Sequence, residues 1–179
     1  MKSKLSGLEP FDAHHLIAIF FSVFIIITIP LIGKLLQQKN RKNFIYFLIS
    51  VALLQEIVDY IARYNFDGFN LAEDLPLHIC SYALFMSAYS LYFKNQFCFE
   101  FSYLLGVTGT FIAILTPEFN DFDGWVMYAT YFMHHSLIPT FSLWNIYVDG
   151  MSLRRLSIPY SLIFLAIIAV PVGVICWLT

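Results

Sequence analysis

The chain has 179 residues, of which 59% are hydrophobic, 18% aromatic and only 12% charged, and its formal net charge is −2. A soluble domain carries about 25% charged residues, so this chain lacks the polar surface that folding in water requires. Its mean hydropathy is +0.72. The composition excludes an ordinary water-soluble enzyme and gives no indication of nucleic-acid binding, so the partner we expect is membrane lipid.

Apolar runs account for most of the chain, and about 20 apolar residues in a helix cross the hydrocarbon core of a bilayer. The runs lack the alternating pattern of barrel strands, which leaves helices as the spanning elements. We therefore predict an all-α integral membrane bundle of about six helices, forming one transmembrane domain over residues 1–179. In chain order the runs cover residues 16–36, 44–64, 77–93, 97–115, 125–148 and 156–178.

Lysine and arginine are distributed unevenly between the connections. The first, third and fifth loops hold seven of them, and the other side of the membrane holds three. Because cytoplasmic loops carry the excess of positive charge, we predict a cell-membrane protein with these loops in the cytoplasm and both termini outside. The seven are Lys34, Lys39, Arg41, Lys42, Lys94, Arg154 and Arg155.

The second predicted helix carries ionisable residues, which are costly inside a membrane. Glu56, Asp59 and Arg63 are spaced to lie on one helical face, and Gln55 adjoins them. That face is expected to point into the bundle. The simplest interpretation is structural: Arg63 forms a salt bridge to Asp59 or Glu56 so that no charge is left unpaired.

Histidines and one cysteine occur near the predicted outer ends of other helices. His78 and Cys80 open the third helix, and His15 opens the first. His134 and His135 follow the start of the fifth helix by about 13 Å along its axis. Neighbouring helical positions point about 100° apart, so at most one of this pair faces the bundle centre squarely. These residues are expected to converge with the acids of helix two in the outer half of the bundle.

Such a cluster is compatible with acyl transfer. A Cys80 thiolate activated by His134, His135 or His78 would be a nucleophile that forms a thioester and so divides one difficult step into two. A lowered thiol pKa is the condition for that reactivity.

Two other interpretations use the same region. Zinc could be bound by the histidines with Glu56 or Asp59, but no spacing fixes a ligand set, and we assign no metal site. The acids and histidines could instead relay protons or bind a cation for transport. Simple interhelical hydrogen bonding, about 0.6 kcal/mol per contact, is the structural alternative.

Several short motifs occur together in a fixed order, and in that combination the chain resembles the YwaF family of bacterial multi-pass membrane proteins. The resemblance covers about residues 10–150. The motifs are Phe11-Asp12-Ala13-His14-His15, Gln55-Glu56, the segment from Leu75 to Cys80, the segment from Phe99 to Thr110, Leu115-Thr116-Pro117 and His134-His135-Ser136-Leu137.

This resemblance implies an uncharacterised helical membrane protein. The family is distantly similar to animal transmembrane acyltransferases and fatty-acid-ester hydrolases, which use a nucleophilic Cys or Thr and a partner His. The nucleophile is then expected near the start of helix three and the histidine in helix five, where this chain has Cys80 and His134 or His135. Family members usually continue into a seventh helix with an Asn-Tyr motif, whereas this sequence ends after the sixth run.

Together these patterns predict a membrane protein with a polar site in the outer leaflet. The function we favour is lipid acyl transfer or hydrolysis; the alternative is a transporter or an ion- or metal-binding protein. The sequence identifies neither a cofactor nor an oligomeric state. The predicted catalytic residues are Cys80, His134 and His135, and the predicted substrate-binding residues are Glu56, Asp59, His78 and His15.

Overall fold

The structure, a computed structural model, describes residues 8–67, 79–118, 122 and 124–178. Over these residues it contains six helices and no strand, which confirms the predicted helical bundle. The second helix begins six residues before its apolar run, because the polar residues 38–43 are helical too. The helices are α1 (Ala13–Leu35), α2 (Gln38–Asp67), α3 (Ile79–Phe93), α4 (Gln96–Leu115), α5 (Trp125–Tyr147) and α6 (Ser157–Leu178).

The connection between α3 and α4 is only two residues long. Lys94 adopts a left-handed conformation with φ of 56°, which reverses the chain direction within this short space. The next residue, Asn95, caps α4: its side-chain oxygen accepts from the backbone N–H of Cys98 at 3.0 Å. The reversal places α3 and α4 side by side.

A π-helical segment, Ser102–Val107, interrupts α4 between the α-helical segments Gln96–Phe101 and Thr108–Leu115. Such segments add a residue to one helical turn and are frequent at functional sites. Within it, Gly106 permits a close helix approach. A Cβ added at Gly106 would lie 2.7 Å from Cγ2 of Ile138 in α5 and 2.9 Å from Cβ of Ala83 in α3.

The central helix is α5, which packs against α1, α2, α3 and α4. Every residue from 135 to 142 is buried. Further along, Trp144 is fully buried, and its ring occupies the space that a side chain at Gly33 of α1 would need. A Cβ on Gly33 would come within 2.1 Å of the ring atom Cζ3. The α1–α5 contact therefore depends on a glycine facing a tryptophan.

The lengths of the helices and the apolar side chains on their outer surfaces are typical of a membrane protein. Within the described residues, four helical spans are long and apolar enough to cross a membrane: Ala13–Leu35, Gln38–Asn65, Gln96–Leu115 and Ser157–Val174. Large apolar side chains such as Phe20, Ile27 and Ile163 are more than half exposed, as expected for surfaces that face lipid. In contrast, α5 directs histidine, serine and threonine side chains at its neighbours.

Candidate functional site

A carboxylate and an imidazole join α2 to α5. Oε1 of Glu56 accepts a hydrogen bond from Nδ1 of His134, and the two side chains are only 13% and 12% exposed. Nε2 of Gln55 donates to the same carboxylate oxygen at 2.6 Å. In the tautomer that donates Nδ1–H to this carboxylate, Nε2 of the imidazole carries the lone pair. Glu56 thus orients His134 so that Nε2 can accept a proton.

One turn further along α2, a second acid also links to α5. Oδ2 of Asp59 accepts from Nε of Arg63 at 2.7 Å, which confirms the predicted salt bridge within helix two. Oδ1 accepts from the hydroxyl of Thr130 at 2.6 Å. Glu56 does not share that arginine bond, since its carboxylate is bonded to His134 and Gln55. We call Glu56, Asp59, Thr130, His134 and His135 the histidine layer.

The two consecutive histidines face different neighbours, as their angular separation predicts. The ring of His135 packs against that of Tyr131 in a tilted arrangement, with ring centroids 4.2 Å apart, and its Nδ1 donates to the Tyr131 carbonyl at 2.8 Å. Tyr131 in turn donates its hydroxyl to the carbonyl of Ala113 in α4 at 3.0 Å. His135 is 8% exposed and packs on Tyr131 of its own helix, whereas His134 points to α2.

His15 is fully buried, and both of its ring nitrogens are bonded within the chain. Nδ1 accepts from the backbone N–H of Phe11 at 2.9 Å, and Nε2 donates to the carbonyl of Ile114 at 2.9 Å. Asp12 caps α1 by accepting from the N–H of His15 at 2.7 Å, and this bond lowers the pKa of the Asp12 carboxyl. In this arrangement, His15 fastens the start of α1 to the end of α4.

Cys80 lies in the first turn of α3 with a free, partly buried thiol. It packs against an apolar cluster that includes Ala52 of α2, Leu137 of α5 and, at its edge, Met133. No hydrogen bond joins the thiol to either histidine of α5 in the described part of the chain. Cys80 therefore packs beside residues of α2 and α5, but within the described residues its thiol is not bonded to the Glu56–His134 pair that links those helices.

Two interhelical bonds indicate the approximate level of Cys80 along the bundle. The hydroxyls of Tyr46 in α2 and Tyr92 in α3 are 2.9 Å apart. Twelve residues separate Tyr92 from Cys80, and twelve separate Tyr46 from Val58, which lies between Glu56 and Asp59. At about 1.5 Å per residue, Cys80 is level with these acids.

The second bond shows that Cys80 is also level with His135 of α5. Nδ2 of Asn145 donates to the hydroxyl oxygen of Ser90 in α3 at 3.0 Å. Ten residues separate Ser90 from Cys80, and ten separate Asn145 from His135. Cys80, the two acids and the two histidines thus lie at one depth on three helices that pack against one another.

The remaining sequence-predicted features are placed as follows. His78 lies outside the described residues. His14 packs on Trp125, with ring centroids 5.0 Å apart, at the edge of the bundle. Over the residues that the structure covers, no group of three or more His, Cys, Asp or Glu side chains is arranged to hold a metal ion.

A family model described as the TMEM164 family matches residues 10–179 of the chain. The chain belongs to the TMEM164 family. This is a multi-pass membrane family, which agrees with the membrane location predicted from composition. No curated protein and no solved structure matches the chain.

One polar cluster in this TMEM164 family member was not predicted from the sequence. Glu100 of α4 is fully buried and receives Nε and Nη2 of Arg154, each at 2.8 Å. Nε2 of Gln96 also donates to Glu100 at 2.8 Å, and nearby Lys94 pairs with Asp149. We call Glu100, Arg154, Gln96, Lys94 and Asp149 the loop clamp. The available signal was a single carboxylate inside the apolar run Phe97-Cys98-Phe99-Glu100-Phe101.

The loop clamp lies at the opposite end of the bundle from the histidine layer and joins the α5–α6 loop to α4. Its bonds to Glu100 raise the pKa of Arg154 above the ordinary arginine value, so the guanidinium stays charged. Every oxygen of Glu100 is committed to these partners. This arrangement is suited to holding a loop in place rather than to chemistry.

Proposed function

We propose that this protein transfers acyl groups from membrane lipid esters, with Cys80 as the nucleophile and His134 as the general base that Glu56 orients. The observation that carries the proposal is the Glu56–His134 bond, because it uses Nδ1 and leaves Nε2 for proton transfer. An orienting carboxylate, an imidazole base and a nucleophile are the parts that covalent acyl transfer needs. The level position of Cys80 on α3 supports its inclusion.

The chemistry proceeds in two steps. Nε2 of His134 takes the thiol proton as the Cys80 sulfur attacks the ester carbonyl, and the lipid alkoxide leaves with that proton to give a Cys80 thioester. An acceptor hydroxyl or water then attacks the thioester carbonyl while His134 takes the acceptor's proton. The acyl group passes to the acceptor, and the proton returns to the Cys80 thiol.

For this mechanism to operate, the Cys80 thiol must come within hydrogen-bonding distance of Nε2 of His134. The Cys80 thiol packs on an apolar cluster and is not bonded to His134 in the described residues. The mechanism therefore requires that the first turn of α3, which carries Cys80, moves the sulfur to Nε2 of His134 when substrate binds. Catalytic hydrogen bonds commonly tighten only when substrate binds.

His134 is the better base of the two histidines. His135 donates its Nδ1 proton to a backbone carbonyl and packs against the ring of Tyr131. In the part of the chain that the structure describes, no carboxylate is bonded to its ring. We assign His135 to packing beside the site, and His134 to proton transfer.

The experiment is acyl release and transfer from labelled phospholipids by the purified protein in nanodiscs. We expect Cys80→Ser to abolish turnover and His134→Gln to lower it by about 10²-fold or more. Glu56→Gln is expected to lower it less, because the imidazole remains but loses its orienting carboxylate. His135→Ala is expected to have a smaller effect than His134→Gln.

The matched control is Cys98→Ser, a second partly buried free cysteine at the other end of the bundle. It should retain full turnover. If Cys80→Ser and Cys98→Ser are equally active, the thioester mechanism is wrong for this chain. A thiol-directed lipid electrophile should label Cys80 in preference to Cys98 for the same reason.

A second function, proton-coupled transport, is favoured by one feature of the layer. Two acids within the span, Glu56 and Asp59, are each bonded to a protonatable or cationic partner. Intramembrane acids of this kind often relay protons. Transport predicts that Glu56→Gln stops solute-driven proton uptake into proteoliposomes while Cys80→Ser has no effect, the reverse of the ranking that acyl transfer predicts.

A further inference from the structure

A cavity of about 390 Å³ opens at the end of the bundle away from the histidine layer. It lies between the start of α2, the end of α3 and the turn after α5. The polar side chains that line it, which we call the cationic pocket, are Gln38, Arg41, Lys42, Tyr92, Lys94 and Asp149.

Three cations and one carboxylate line this pocket, so its net charge is about +2. The carboxylate of Asp149 is paired with Lys94, and Lys94 also donates to the carbonyl of Leu91 at 2.8 Å. The single acid is therefore neutralised locally. The positive charge of Arg41 and Lys42 has no acidic partner in the part of the chain that the structure describes.

Arg41 is held rigidly at the pocket wall. Its Nε donates to the carbonyls of Gly33 at 2.9 Å and Leu36 at 3.0 Å, and Nη2 donates to the carbonyl of Lys34 at 3.2 Å. These bonds anchor the guanidinium to the end of α1. A guanidinium has five N–H donors, so two or more remain for a ligand.

Lys42 is exposed and adjustable. Its Nζ lies 5.9 Å from the ring centroid of Tyr46, and the Tyr46 hydroxyl bonds to that of Tyr92 at the pocket edge. A lysine with only an aromatic contact can turn toward an anion at little cost, because an exposed cation–π contact is worth only about 0.5–1 kcal/mol.

From this arrangement we infer that the cationic pocket binds a phosphoryl group. A fixed arginine fork and a mobile lysine are a recurrent combination for phosphate oxygens. Basic pockets between membrane helices on the cytoplasmic side bind anionic headgroups, and the predicted topology puts this end in the cytoplasm. The ligand is either the headgroup of an anionic phospholipid or a soluble phosphate ester.

The pocket is separate from the proposed acyl-transfer site. Tyr92 borders the pocket, and Cys80 lies twelve residues away along α3, which is about 18 Å. Binding here is therefore independent of whether Cys80 is catalytic.

The test is native mass spectrometry of the purified full chain with phosphatidylglycerol or phosphatidylcholine, compared across Lys42→Gln, Lys42→Arg and Lys39→Gln. Lys39 is the matched control, since it is an exposed lysine on the same helix that does not line the pocket. We expect one retained phosphatidylglycerol, about fivefold weaker binding in Lys42→Gln, and wild-type binding in Lys42→Arg and Lys39→Gln. Melting temperatures of all variants provide the folding check.

A parallel measurement adds glycerol 3-phosphate or inorganic phosphate to the protein in phosphatidylcholine nanodiscs and follows its melting temperature. A rise that Lys42→Gln removes identifies a soluble phosphate ester as the ligand, whereas lipid retention without that rise identifies a headgroup. Equal losses in Lys42→Gln and Lys39→Gln, or no binding of either probe, would overturn the inference. Equal losses would mean that only diffuse surface charge acts.

Discussion

The histidine layer and the loop clamp are both clusters of polar side chains at the edges of an apolar bundle, yet they leave different atoms available. In the loop clamp, Arg154 and Gln96 occupy both oxygens of Glu100. In the histidine layer, the printed bond of His134 uses only Nδ1, and beside the layer the buried Oε1 of Gln55 has no partner in the described residues. A cluster in which every hydrogen-bonding atom has a partner is suited to stabilising the fold. A cluster in which some of these atoms lack a partner has atoms available to bond a substrate.

The largest expected effect is on stability, at the loop clamp. Arg154→Met should lower the melting temperature by about 5–10 °C, because Glu100 would remain buried without its cation. Thermal unfolding of the purified protein in detergent measures this. Adding Glu100→Gln to Arg154→Met should restore part of the loss.

The control is Arg155→Met, which changes the same charge on an exposed neighbour. Equal melting temperatures for Arg154→Met and Arg155→Met would show that the clamp does not stabilise the fold, and the contrast between the two clusters would lose its basis.

A second test concerns the helix that connects the two regions. Gly106→Ala places a methyl group 2.7 Å from Ile138 and 2.9 Å from Ala83, and overpacking of this kind costs about 1–3 kcal/mol. Gly109→Ala is the control, since nothing lies within 4 Å of its added Cβ. It should be neutral or slightly stabilising. Comparable unfolding midpoints for both variants would contradict the close packing around Gly106.

The histidine layer should contribute little to stability. Thr130→Val removes the hydroxyl that bonds to Asp59 and should cost about 0.6 kcal/mol, as single interhelical bonds in membranes do. Thr140→Val, which removes only a bond to the Ser136 carbonyl within α5, is the comparison. A loss from Thr130→Val as large as that from Arg154→Met would mean that the layer, too, is chiefly structural.

The smallest effect concerns pH at the start of α1. The backbone bond from His15 lowers the pKa of Asp12 in the folded state, so its stabilising contribution is present above the unfolded value of about 3.9 and is lost as pH falls through the folded pKa. Asp12→Ala should therefore lower the melting temperature at neutral pH, and the gap to wild type should close in acid. Asp12→Asn retains the cap at every pH, and an Asp12→Ala gap that widens in acid would contradict the assignment.

Sequence reasoning succeeded where the relevant physics is local. Helix count follows from the length of apolar chain that a bilayer requires, and the Arg63–Asp59 bridge follows from spacing along one helix. The pairing of Glu56 with His134 depends on which helices are neighbours, which no local pattern encodes. Glu100 and Arg154 are far apart in sequence, and neither has a charged helical neighbour at the right spacing to draw attention to it.

The π-helical segment was also beyond prediction, since its hydrogen-bond register leaves no mark on hydropathy. It permits Gly106 to sit where α3 and α5 crowd α4. The same residues in a regular α-helix would have the same hydropathy, so the sequence does not distinguish the two kinds of helix.

The π-helical segment changes the direction in which residues after it point relative to residues before it. One extra residue turns everything beyond it by about 100° relative to a regular helix. Before it, α4 turns Glu100 toward Arg154; beyond it, α4 presents the carbonyl of Ile114 to His15. If the same residues formed an uninterrupted α-helix, Ile114 would point about 100° away from its present direction relative to Glu100, and only one of these partners could be bonded. The insertion is therefore what allows a single helix to serve both ends of the bundle.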